Sequence, residues 1–507
     1  MAITPKYENI RVDDYKALPP KQTAVECVLR AEEGSIKNVL SIKCDCQLLS
    51  CEAMAGEARI SGRVDFKAIY EDDEGELDTL AYYADFNDRV EDPGITPVSR
   101  LFCQVSVADV ETVSVAKDEI KLACVLECAL KVNNPYEMSL LSEGEGFLCN
   151  STSRNSCSYS GGGRESFEAS DEFEEKRVIK KVLLSEAAAV ITDAGAGVNS
   201  VTVEGEAVVR LNYVDDEGEV GTCQRVIPFS HEIEAKDVLP SDKAFADAQV
   251  RSLKVNAIVD EERNMTAISL SLDIEVTARA YGSECISYVD DVFSPQCKLN
   301  VTYNGINSRT YIGSYNYKQT IEGTASLDDD MMPVERILAA AGGRVYIANI
   351  LPEEGKVTVE GIASATVLYA GTGNEGERRV ASVGVEIPFS ITLDIEGAKP
   401  GDTVELKAAI FDIETRSHRG REIEVRMQLR LRADLFSDEV ITVVSDVEEG
   451  EPLAQQCSIS IYMPGENEKL WDVAKQLGMP PETILEFNPD LQLPAEGVRV
   501  FVYRQKF

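Results

Sequence analysis

Three stretches of the chain place apolar side chains at every second position. Ile120, Leu122, Cys124 and Leu126 form the first, Ile268, Leu270, Leu272 and Ile274 the second, and Ile423, Val425, Met427 and Leu429 the third, with mostly polar residues between them. A period of two puts one face of a strand in a core and the other in water. Each stretch follows a block of strand, turn and strand that also occurs three times. The first copy reads ARISGRVDFKAIYEDDEGELDTLAYYADFND, with Gly62, Tyr70, Gly75 and Phe86 as markers. The second, VTVEGEAVVRLNYVDDEGEVGTCQRVIPFS, gives Gly205, Tyr213, Gly218 and Phe229, and the third, VTVEGIASATVLYAGTGNEGERRVASVGVEIPFS, gives Gly361, Tyr369, Gly376 and Phe389. Glycine and tyrosine stand eight residues apart in every copy, and the third turn is two residues longer. Asp109, Asp260 and Asp412 mark a second block in QVSVADVE, VNAIVDEE and KAAIFDIE. An internal repeat of this kind predicts one structural unit used three times. The fold class expected is mainly β: three repeated antiparallel β-sandwich-like domains.

The expected units are 25–141, 177–296 and 331–448, after an N-terminal tail at 1–24. Residues 142–176, with NSTSRNSCSYSGGGRES, read as a flexible linker because Ser, Asn and Gly dominate. Residues 297–330 read as a linker or an extra hairpin, and 449–456 as a short acidic linker. From 457 to 507 the periodicity changes. Ile459 to Met463 alternates like a strand, and LWDVAKQLG puts Leu470, Val473, Ala474 and Leu477 on one helical face, stopped by Gly478. Pro480 and Pro481 open a second helix that buries Ile484 and Leu485, Asn488 and Pro489 end it, and VRVFVY closes the unit as a strand. The order is strand, helix, helix, strand.

Charge and composition narrow the chemistry. The 507 residues carry 88 acidic and 50 basic side chains, a net charge of −38, which argues against nucleic acid and anionic membrane surfaces as partners. No apolar run is long enough for a membrane span, and the N-terminus lacks the apolar core of a secretory signal. The only histidines are His231 and His418, both expected at turns or on the surface, so catalytic triads and most metal sites are disfavoured. Nine of the thirteen cysteines fall within the first 157 residues without CxxC spacing; reduced, buried thiols are expected, with Cys149 and Cys157 accessible enough to cross-link. Gly371, Gly373 and Gly376 spell GxGxxG but run into a strand-like segment rather than a helix, so they read as a hairpin turn. The DDEG turns, Asp72–Gly75 and Asp215–Gly218, lack the ligand spacing of a calcium loop. No pair of carboxylates stands out for hydrolysis; no cofactor, no metal and no enzymatic activity are expected.

The C-terminal pattern resembles the LysM domain through Leu470, Trp471, Val473, Ala474, Gly478, Leu485, Asn488 and Pro489. The resemblance implies a partner-binding groove between two loops, formed here by Gly465, Glu466, Asn467, Glu468, Lys469, Leu470 and Trp471 on one side and Asn488, Pro489, Asp490, Leu491 and Gln492 on the other. The first loop is longer than the family's usual one. The three copies, through VTVEG, LY, DEG, IPFS and the later YVDDVFSP and VVSDVEE, look like SPOCS-type domains. Ala84-Asp85-Phe86 stands where the other copies have Ile-Pro-Phe, so the first copy is the most divergent. Three such repeats before a LysM domain resemble spore-coat morphogenetic proteins of the clostridial type. That likeness implies a non-enzymatic adaptor in the mother-cell cytoplasm, concentrated at the forespore surface and spore coat. It would tether coat proteins there, with the LysM-like end binding a coat-basement morphogenetic ATPase. The alternative is a peptidoglycan or cortex protein that binds N-acetylglucosamine-containing glycan through the LysM domain.

Overall fold

In the computed structural model, which describes residues 3–32, 34–373, 377–453, 458–494 and 498–504, nearly all of the chain is antiparallel strand. Gly376 and Cys457 lie outside the described residues. The second repeat shows the plan most simply. Strands β8 (Leu148–Glu175), β9 (Ile179–Ala196), β10 (Ser200–Asp215), β11 (Val220–Glu234), β12 (Lys243–Asp260) and β13 (Met265–Phe293) form two three-stranded sheets, β9-β10-β11 and β12-β13-β8. The sheets face each other across one core, where Val203, Val209, Leu211 and Phe229 meet Ile268, Leu270, Leu272 and Ile274. The third repeat repeats the scheme with β14 (Cys297–Ser326), β15 (Arg336–Glu353), β16 (Lys356–Thr372), β17 (Arg378–Asp394), β18 (Thr403–His418) and β19 (Glu422–Pro452). The first uses β3 (Ile36–Met54), β4 (Glu57–Asp72), β5 (Leu77–Glu91), β6 (Arg100–Val115) and β7 (Glu119–Glu145), with β1 (Thr4–Ala17) and β2 (Lys21–Arg30) on β7. All twelve alternating residues named above are buried, each side chain contributing about 1.5–3 kcal/mol by leaving water.

The repeat markers have a steric cause. Gly62 lies opposite Phe86, Gly205 opposite Phe229 and Gly361 opposite Phe389 in the strand register. A Cβ on any of these glycines would stand 2.3–2.7 Å from the opposing ring, so the phenylalanine covers a backbone that must stay bare. Tyr70, Tyr213 and Tyr369 are buried. The DDEG turns are closed by their first aspartate: Asp72 Oδ1 accepts the Glu74 and Glu76 N–H groups at 2.9 Å, Asp215 Oδ1 those of Glu217 and Glu219, and Gly75 and Gly218 take φ near +80°. The second-block alignment needs one correction. Asp109 and Asp412 both follow a β-bulge and pair with equivalent residues, but Ser252 holds that place in the second repeat; Asp260 sits eight residues later and caps a turn.

The segments expected as linkers are strands, and this changes the architecture. Residues 148–175 form β8, paired along its length with β13; the serines and asparagines accept strand geometry because the pairing satisfies their backbones. Its glycines are needed for close approach rather than flexibility. A Cβ on Gly161, Gly162 or Gly163 would come within 2.5 Å of the carbonyl oxygen of Lys236, Ala278 or Glu234. Residues 297–326 are β14, paired with β19, and β19 itself runs through the start of the acidic segment to Pro452. The expected N-terminal tail is β1 and the start of β2. The two behave as one long strand interrupted at Pro19 and Pro20, which have no N–H for the ladder: Ala17 pairs with Lys131, and Lys21 with Cys128.

Beyond the sandwiches the long strands continue as three two-stranded ribbons that pack into a stalk. Val12, Leu140, Ile306, Ile441 and Val443 fill its middle, and Leu141, Phe147, Val289, Val292, Val444 and Val447 its tip. Where the ribbons enter the sandwiches, equivalent positions of all three repeats meet. Tyr15 lies opposite Asn133, Tyr159 opposite Tyr281, and Tyr311 opposite Phe436. Together with Phe245 these rings form a closed aromatic cluster, with centroids 5.0 Å apart for Phe245–Tyr311 and 5.2 Å for Phe245–Phe436. Arg309 covers Tyr15 and bonds Asp438 at 2.7 Å, while Arg279 bonds Glu405 at 2.7 Å. A second junction joins β3, β9 and β15. Leu40, Ile69, Leu184, Ala341 and Leu368 form its apolar part. Lys43, Glu186, Arg210 and Arg344 line its polar part, around two adjoining hollows of about 330 and 250 Å³.

The twelve described cysteines are free thiols, and burial pushes the Cys46 thiol up to about 12. Cys157 is not accessible: it is buried beside the aromatic cluster, and Cys149 is half-buried in the stalk tip, because their segment is a paired strand. His231 stacks on Phe167 at 4.4 Å, and His418 bonds Glu424 at 2.9 Å. Among the described residues no helix is long and apolar enough to cross a membrane, and no group of three His, Cys, Asp or Glu side chains is arranged to hold a metal ion.

Candidate docking site

The chain leaves the third ribbon at the stalk tip and forms a small terminal module there: β20 (Ser458–Tyr462), α1 (Leu470–Leu477), α2 (Pro481–Phe487) and β21 (Val500–Arg504). β20 pairs with β21 antiparallel. Helix α1 starts where Asp472 accepts the Lys469 N–H at 2.8 Å, and it ends at Gly478, which takes φ +59° as a C-cap. Its apolar face, with Val473 and Ala474, packs on Met479, Ile484, Val500 and Val502. Phe293, from the end of β13, completes this core, so the module is built onto the second repeat's ribbon rather than beside it.

One carboxylate fixes the attachment. Asp291 accepts the Trp471 indole N–H at 2.9 Å and the Lys475 ammonium at 2.6 and 2.8 Å. The Trp471 ring stands edge-on to Phe293, with centroids 5.0 Å apart. Partial burial pushes the Asp291 carboxyl up, but hydrogen bonds from Lys475 and Trp471 outweigh it and hold the group below the ordinary carboxylate range.

The twelve groove candidates divide by environment. Gly465, Glu466, Asn467, Lys469, Pro489, Asp490 and Gln492 are exposed. Glu468 is half-buried, and its carboxylate accepts the Gly465 N–H at 3.1 Å and the Tyr462 hydroxyl at 2.9 Å, which folds the first loop on itself. Leu470, Trp471 and Leu491 are half-buried members of the module core. Asn488 is buried and structural: its amide nitrogen donates to the carbonyls of Ile484 and Phe501 at 2.8 and 2.9 Å, and its oxygen accepts the Phe501 N–H at 2.7 Å. Trp471 thus spends its polar edge and one face inside the chain, leaving Lys469 and the acidic loop tip as the outward-facing chemistry of the first loop.

Two features escaped the sequence. The first is the attachment of Asp291 and Phe293, about which YVDDVFSP gave only a repeat signal. The second is an apolar outer face on the β20–β21 sheet, where Ile459 pairs with Tyr503 and Ile461 with Phe501. Ile459 is 81% exposed, and Phe487 adds a ring edge-on to Tyr503 at 5.6 Å. Its sequence signal was available: Ser458 to Met463 contains no charge.

The family model described as SipL, SPOCS domain matches residues 35–115, 178–258 and 333–417. The same domain model thus matches each of the three repeats. Each match runs from the first strand of the three-stranded meander to the bulged strand that follows it, β3 to β6, β9 to β12 and β15 to β18. The stalk ribbons and the terminal module lie outside the matched residues. No curated protein and no solved structure matches the chain. The three SPOCS matches support a sporulation-related role.

Proposed function

We propose that the chain is a non-enzymatic spore-coat assembly adaptor that tethers coat proteins to the forespore surface from the mother-cell side. Its terminal module, read as LysM-like, binds a coat-basement morphogenetic ATPase. The observation that carries this reading is the shared stalk. The three matched repeats meet in common buried junctions, and the module sits at the one pole where the ribbons end. Such a body presents several outer sheet surfaces to coat proteins while holding a terminal docking module in a fixed orientation. Several weak sites on one rigid body raise one another's effective concentration. The order strand, helix, helix, strand and the residues shared with LysM domains support the reading of the module.

The test is capture of the coat-basement ATPase by the full chain. Lys469→Glu reverses the exposed cation beside the first helix without touching the Asp291 contacts, so it is expected to weaken capture about tenfold. Unchanged capture by Lys469→Glu and by a chain ending at residue 453 would remove the module from this role.

A further inference from the structure

The β20–β21 sheet has one edge closed and one open. The Asn488 side chain brackets the N–H and C=O of Phe501 on the far side of β21. Phe501 therefore turns both groups away from β20. In an antiparallel ladder, opposite residues share both hydrogen bonds or neither. Ile461, opposite Phe501, must then turn its own N–H and C=O outward as well, and so must Ile459, opposite Tyr503. Among the described residues no donor or acceptor meets these backbone groups. Their side chains, at 81% and 54% exposure, are bare too, and Met463 continues the row at 62%. Natural edge strands are ordinarily protected by a charge, a proline or a bulge, and Ser458–Met463 has none.

We propose that the open edge of β20 is a strand-addition site, filled by an extended segment of a partner protein in which apolar residues alternate with basic ones. The incoming strand pairs with the outward N–H and C=O groups of Ile459 and Ile461, and its apolar residues continue the face formed by Ile459, Ile461 and Phe501. Alternation is required because every second side chain of an added strand lies on that face. Basic residues between them suit a chain of net charge −38, and the same charge opposes a second copy as the occupant. The inference rests on the module being a partner-binding unit, and it names the edge that does the binding.

The probe is a seven-residue peptide alternating lysine and valine, compared with a peptide of the same composition in block order. Hydrogen exchange is followed on the full chain. The alternating peptide is expected to slow exchange of the Ile459 and Ile461 amides by at least about tenfold, and the block peptide to leave them unchanged. Ile461→Pro removes one outward N–H while sparing the β20–β21 ladder, so it should abolish the protection at Ile459. Ile461→Lys, which keeps the backbone donor, should weaken it only in part, and this second variant stands in if the proline variant fails to fold. Equal protection by both peptides, or protection that survives Ile461→Pro, overturns the proposal. So does concentration-dependent dimerisation that Ile461→Pro removes, because a second copy would then own the edge. Capture of the coat-basement ATPase separates the two levels. If Ile461→Pro captures as well as wild type while truncation at residue 453 does not, strand addition fails and the adaptor reading stands. If truncation also changes nothing, the module has no part in capture and the reading of it as a partner-binding unit fails with it.

Discussion

Where the ribbons enter the sandwiches, the three repeats touch through Tyr15, Tyr159, Tyr281, Phe245, Tyr311 and Phe436, and the charges beside these rings are paired closely. Arg309 reaches Asp438 and Arg279 reaches Glu405, both at 2.7 Å. At the junction of β3, β9 and β15 the same three repeats touch through charges set farther apart. Lys43 stands 3.3 Å from Glu186 and 3.4 Å from Asp45, Arg210 is 3.7 Å from Asp412, and Arg344 is 3.8 Å from Asp109. The first junction is built on rings in mutual contact; the second leaves two hollows, of about 330 and 250 Å³. The difference shows that a repeat protein need not join its units everywhere with equal force. One aromatic contact near the stalk sets the arrangement, and the other is held by looser ion pairs, with both Glu186 carboxylate oxygens buried without a hydrogen-bond partner among the described residues.

The comparison breaks if the aromatic junction proves replaceable. Tyr281→Ala removes the ring that touches Tyr15, Tyr159, Phe245 and Phe436, and it is expected to cost about 3–5 kcal/mol in urea unfolding. Close behind comes Glu405→Gln, which takes the nearest carboxylate from buried Arg279 and half-buried Lys131, leaving Arg279 only Asp247 at 3.9 Å, and should cost about 3 kcal/mol. Burial pushes the Glu405 carboxyl up, but Arg279 and Lys131 hold it far below its ordinary 4.5. A depressed native value contributes stability that is fully present above pH 4.5 and is lost as pH falls below it toward the native value. Wild type should therefore lose this increment on acidification, and Glu405→Gln should show a correspondingly flatter profile.

The terminal module sharpens the contrast with a contact of intermediate strength. Asp291→Asn weakens the bonds from Trp471 and Lys475, and at a partly exposed site about 1–2 kcal/mol is expected. Because Trp471 is the sole tryptophan, a red shift of intrinsic fluorescence would report its release without interference. At the polar junction, replacing Lys43 and Glu186 together by Met and Leu should change stability by no more than about 1 kcal/mol, and a gain would fit as well as no change. A loss as large as that of Tyr281→Ala would erase the distinction between the junctions. The smallest effect concerns chemistry alone: among the described thiols, the exposed Cys285 should react with a thiol reagent in the native protein well ahead of Cys157.

The sandwich strands were legible because burial on one face imposes a period of two, and the glycine, tyrosine and phenylalanine markers were legible because one ring must cover one bare backbone in every copy. The ribbons were not. In β8 the residues are largely serine, asparagine and glycine, whose usual meaning is flexibility, and only pairing with a strand more than a hundred residues away reveals Gly161–Gly163 as close-packing positions. The candidate site was legible in part. The helix start and the Gly478 cap followed from local spacing, whereas Asn488, expected in a groove, closes a sheet edge, and Trp471 faces an aspartate 180 residues upstream.

The pairing of Thr4 with Glu145 has a consequence for biosynthesis. As the polypeptide emerges from the ribosome, β1 has no neighbour until the whole first sandwich has been translated, and β8 and β14 wait in the same way for β13 and β19. Three waiting strands with interchangeable register invite mispairing and slow maturation. Pro19 and Pro20 give the first of them a length and break that the later ribbons lack, a physical tag by which β7 can distinguish its rightful mate from the two that follow.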